Sequence, residues 1–156
     1  MAGLRARALD LDPVEMGYTP TIELPRVFGG VMEMAFPEGS ATLVSLLDGA
    51  TSLYTSGGGG IIGGGEHESV VAATQRFLLG LEAALDELGP DAGTDVPPPG
   101  TDAIHALTYS GRRSLVAPEA ELAEAQHPQS ALFYLAHDVI TALRLVEEQR
   151  SSGGAG

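Results

Sequence analysis

Val70, Thr74, Phe77, Leu78, Leu81, Leu85 and Leu88 recur at spacings of three and four, and this stripe constrains the fold more than any other feature of the chain. Such spacings put side chains on one side of an α-helix. A helix that is apolar on one side must lay that side on another apolar layer, so the chain has to supply one. Glu66 and Glu68 near the helix start complement its dipole. Gly89-Pro90 ends it, glycine through a left-handed cap and proline through its missing amide donor. A second stripe, Leu132, Ala136, Val139, Leu143 and Val146, widened by Phe133 and Ile140, predicts a last helix opening at Pro128.

The other layer reads as a sheet. Val27 to Phe36 sets Phe28, Gly30, Met32, Met34 and Phe36 on one side, with Val31, Glu33 and Ala35 on the other. After a turn at Pro37-Glu38-Gly39-Ser40, Ala41 to Leu47 is almost continuously apolar. Asp48-Gly49 reads as a two-residue hairpin loop returning into Ala50 to Thr55. Ala103 to Tyr109, a Ser110-Gly111 turn and Arg112 to Ala117 form a further hairpin.

The expectation is therefore an α+β fold: a five-stranded antiparallel sheet, element order βββαββα, packed by two amphipathic helices. Residues 1–25, with Pro13, Gly17, Pro20 and Pro25, read as an irregular lead-in. Residues 26–150 read as one domain, with a Pro/Gly/Asp-rich loop at 89–102 and a disordered tail at 151–156. The order strand, turn, strand, loop, helix occurs twice, over Thr42–Leu88 and Ile104–Val146, which raises an internal ββα duplication.

Composition narrows the partners. Acids outnumber bases 21 to 8, the net charge is −13, and every base is arginine. A duplex-binding surface needs a positive footprint, and so does attachment to an anionic membrane, so neither nucleic acid nor membrane is expected as a partner. Schiff-base lysines and P-loop lysines are excluded, and the absence of cysteine removes thiol chemistry, disulfides and thiolate zinc sites. No apolar run approaches the ~20 residues that span a bilayer. The opening residues, with Arg5, Arg7, Asp10 and Asp12, lack a secretory core, so a cytoplasmic location is expected.

The glycine tract Gly57–Gly65 is the strongest candidate site. Gly58, Gly60 and Gly63 match GxGxxG spacing ahead of a helix, where backbone N–H groups converge on an anion, and His67 and Arg76 follow on that helix. Against this, seven glycines in nine residues match many spacings, and Val27 to Gln75 holds five acids and no arginine. Glu66-His67-Glu68 invites a metal reading, but consecutive helical residues diverge by roughly 100°, and Asp48, His105, His127 or His137 would have to complete the set. His105, His137 and Asp138 supply acid–base groups without a catalytic motif, and read best as structural, hydrogen-bonded residues. Arg112-Arg113 is the one adjacent basic pair, on a hairpin where it can meet nearby acids.

Two functions follow as expectations. The first is a small cytosolic non-enzymatic module without cofactor or metal, acting through protein contacts, most simply as a homodimer. Val31, Leu43 and Leu53 are too apolar to face water together as one patch. The second is a small-ligand or anion-binding protein, or an enzyme, built on residues 57–65 and the helix start.

Overall fold

The computed structural model describes residues 8–57, 60–62, 67–90 and 97–155. In chain order these form β1 (Val27–Phe36), β2 (Gly39–Leu46), β3 (Thr51–Thr55), β4 (Gly60–Ile62) and α1 (Glu68–Ala84), which runs on into a 3-10 turn at Leu85–Glu87. Then come β5 (Gly89–Pro90), β6 (Thr101–Thr108), β7 (Gly111–Pro118), α2 (Glu119–Ala123) and α3 (Ser130–Ala155). The sheet order is β4-β3-β2-β1-β6-β7-β5, antiparallel at every pairing. The α+β class and the five expected strands are present as β1, β2, β3, β6 and β7. β4 and β5, three and two residues long, extend the two edges.

Several boundaries differ from the sequence reading. Gly89-Pro90 follows the helix but also pairs with Ser114 and Arg113. Thr101 and Asp102, assigned to the loop, begin β6. Pro118 to Gln126, which reads as an acidic connection to the last helix, holds α2, and α3 opens at Ser130 and is helical through Ala155, past the start of the expected tail. The Leu46 amide donates to the Ala50 carbonyl (2.9 Å), which leaves a three-residue loop, Leu47-Asp48-Gly49, in which the Gly49 amide donates to the Leu46 carbonyl (2.9 Å) and Gly49 takes φ +91°. That is a turn followed by a left-handed glycine, so Asp48 needs no positive φ. Instead its Oδ1 accepts from the Ala50 amide (2.9 Å). The second hairpin turns at Tyr109-Ser110, with Thr108 paired to Gly111.

All seven stripe residues of α1 are buried, as are Leu132, Phe133, Ala136, Val139, Ile140, Leu143 and Val146 of α3. Both helices cover the sheet face carrying Met32, Met34, Leu43, Leu53, Ile104 and Ala106. α1 lies close because Gly30 has no side chain: a Cβ there would sit 2.6 Å from Leu81 Cδ1 and 2.8 Å from Phe77 Cε2. Glu82 ties α1 to the start of β1, accepting from the backbone amides of Arg26 (2.8 Å) and Val27 (3.0 Å) and from the Arg26 guanidinium.

The opposite face is apolar too, and it is covered by the lead-in, which a two-layer reading does not anticipate. Phe28, Val31, Val44, Leu46 and Leu107 form a second cluster under Ala8 and Leu9, with Leu11, Tyr18, Tyr54 and Tyr109 around it. Phe28 reaches that face through a register shift between Val27 and Gly29, which turns it away from Gly30, Met32 and Met34. It lies between the rings of Tyr18 (6.0 Å) and Tyr109 (5.6 Å). The lead-in is thus a partial third layer. Leu43 and Leu53 lie under the helices and Val31 under the lead-in, so the three do not form one open patch.

The two ββα units flank β1 with opposite hand. β2 and β6 both run antiparallel to β1, β3 and β7 lie outside them, and both helices share one face. Only a reflection relates these arrangements, so the echo in sequence is not matched by a repeat in space.

Candidate functional site

The residues expected to bind a ligand are not gathered in one place. Gly60 is a sheet-edge residue opposite Tyr54, while Gly58 and Gly63 lie outside the described residues. His67 caps α1 in extended conformation (φ −109°, ψ 123°), its carbonyl accepting from the Val71 amide (3.0 Å), with no capping bond from its side chain. Arg76 is exposed nine residues further along α1, which is about 13 Å along the axis. Among the described residues, no three His, Asp or Glu side chains are arranged to hold a metal ion, and Glu66 falls outside them.

Arg112 and Arg113 alternate across the strand and go to different partners. Arg112 Nη1 donates to the Leu9 carbonyl (2.7 Å) and to Asp10 Oδ1 (3.1 Å), pinning the lead-in. Arg113 Nη2 donates to the Leu88 carbonyl (2.8 Å), closing the end of the 3-10 turn. They fasten two segments and form no joint anion site.

The histidines divide. His105 is buried and hydrogen-bonded, as expected of a structural residue. His137 packs at a tilt against Phe133 (4.3 Å between centroids, 51° between planes), yet its Nε2 is buried without a partner, unlike the satisfied residue the sequence suggests. Burial lowers its pKa, Arg144 adds to that, and Glu119 and Asp138 oppose it. Asp138 is exposed on the next helical position.

One constellation escapes the sequence reading. Val31, His105 and Ser114 stand in register across β1, β6 and β7, with Glu33 two residues along β1. His105 Nδ1 lies 2.8 Å from Ser114 Oγ, and His105 Nε2 lies 3.0 Å from Glu33 Oε1. Hydroxyl, imidazole and carboxylate in a row is the order that activates a serine nucleophile. Here the exposures are 4%, 1% and 1%, so a substrate has no path to the hydroxyl. What the row does is fix register. Its members come from three strands, and a one-residue slip of any strand would send its polar group to the other face. The available signal was Glu33, a charge within an otherwise apolar ten-residue strand.

The chain matches no protein-family model, no characterised protein and no solved structure. Three open clefts are relevant. One of about 250 Å³ lies between α1 and the β2–β3 loop, with Glu23 and Asp48 at its polar margin, which disfavours an anion. The other two, of about 230 and 300 Å³, flank the lead-in on the second sheet face. Neither His67 nor Arg76 lines any of them. No helix among the described residues is long and apolar enough to cross a membrane.

Proposed function

We propose that the chain is a small non-enzymatic α+β module that acts by contact with another protein, in the simplest case a second copy of itself. The observation that carries this reading is the pair of clefts that flank the lead-in on the second sheet face. Leu11 of the lead-in lines both flanking clefts. One is floored by Phe28 and Leu107, the other by Val44, Leu46 and Tyr54. Clefts of this kind take the side chains of a partner, which pack against the cluster that the lead-in covers. A two-fold contact is the commonest way for one gene product to supply those side chains.

The net charge of −13 sets the conditions. Like-charged copies repel at long range, and salt screens that repulsion over roughly 10 Å at 0.1 M. Sedimentation at micromolar concentration is expected to show a dimer whose fraction rises with salt. A strict monomer at both low and high salt would remove the homodimer form of the proposal. On the same reading, calorimetric titration with ATP, GTP or NAD gives no binding heat. Micromolar binding that is lost in Gly60→Val would favour the anion-binding reading instead.

A further inference from the structure

Asp102 is the second residue of β6 and stands opposite Met34 of β1 and Ala117 of β7, both part of the main core. It is fully buried at 0% exposure, and neither of its carboxylate oxygens has a hydrogen-bond partner. An ionised carboxylate so placed has lost its hydration and gained nothing in return, so the site suits the neutral acid. The groups nearby do not offset this. Met34 and Ala117 carry no charge. On α2, the Glu119 carboxylate acts on Asp102 with the same sign, and the Glu119 amide donates to the Gly100 carbonyl (3.0 Å), tethering the helix start two residues from Asp102. On α3, Glu119 also acts on His137, whose ring additionally feels Asp138 and Arg144. Burial first, and Glu119 second, push the Asp102 carboxyl up to about 7.

We propose that Asp102 is a proton-operated latch on α2: neutral, it stays sealed between β1 and β7 beside the start of α2, and on releasing its proton to solvent it drives Pro118–Ala123 off the sheet so that water reaches the carboxylate. The sign follows from linkage. Between about pH 4 and about pH 7 the folded chain holds this proton and the unfolded chain does not, so wild-type stability falls relative to an Asp102→Asn variant as pH rises. The ratio of unfolding constants, wild type over Asp102→Asn, increases about tenfold per pH unit across that window and is level above it. The latch is independent of whether the chain dimerises.

The test is a carbon-13 carboxyl titration of the labelled wild-type chain, with the backbone amides of Glu119–Ala123 followed in the same samples. The expected result is an Asp102 midpoint near pH 7, α2 amides shifting with that midpoint, and no such shift in Asp102→Asn. An Asp102 midpoint in the ordinary carboxylate range of about 4 overturns the proposal. So do α2 amides that stay still while Asp102 titrates near 7, or that follow the same curve in Asp102→Asn. The wild-type titration decides the matter even if the variant fails to fold.

Discussion

At position 30 a glycine is required by distance. The Cβ of any other residue would press on Phe77 and Leu81, whose rings and branches seat α1 on the sheet. Gly30→Val is expected to cost ~1–3 kcal/mol through overpacking. The converse change, Phe77→Ala, should cost ~3–5 kcal/mol through a cavity, both measured by chemical denaturation. Phe77 was legible in the sequence because helical spacing repeats and declares its face. Gly30 was legible only as one position in a strand, since its meaning lies in a helix about fifty residues away. Glu82 is a further residue whose role depends on distant partners. Burial alone would raise its pKa, but hydrogen bonds from Arg26 and Val27 prevail and hold it below the usual carboxylate range. Its contribution is therefore present above that range and lost as pH falls through the depressed pKa. Glu82→Gln should lose ~1.5–3 kcal/mol at pH 7, the usual worth of hydrogen bonds to a charged group. That gap should narrow in thermal melts at progressively lower pH, and a gap that stays constant would contradict the assignment.

At the scale of elements, local chemistry decided what could be read. Both helices and all five main strands were visible because periods of two and 3.6 survive in short windows. Turn details were not. Asp48-Gly49 fits a two-residue loop by composition, whereas the hairpin is closed by the Leu46 amide donating to the Ala50 carbonyl (2.9 Å), which takes Leu47 into the loop as well. Gly49 retains the left-handed conformation, so Gly49→Ala should destabilise by ~1–2 kcal/mol in denaturant titrations, with Val71 Cγ2 only 3.2 Å from the new Cβ. The register shift that turns Phe28 over was equally hidden: alternation assumes an unbroken pleat, and one extra residue inverts everything before it. The Glu33–His105–Ser114 row was unreadable for a related reason, since Glu33 and His105 are 72 positions apart and no spacing rule connects them.

At the scale of the molecule, the lead-in matters most. Removing residues 1–18 should expose Phe28, Val31, Val44, Leu46 and Leu107 together, lowering the melting temperature and raising binding of a hydrophobic dye. An unchanged melt would show that this third layer contributes little. The strand order has a different consequence, in time. β1 lies at the centre of the sheet but leaves the ribosome early, while β6, which completes its second side, ends at Thr108. Residues 37–108 must still emerge after Phe36, which takes about 4–14 s at typical synthesis rates. During that interval the strand destined to be the most protected in the molecule is an unpaired edge. A nascent chain whose emerged part stops before residue 101 should accordingly recruit chaperones or self-associate through β1, and one from which Thr108 has also emerged should not.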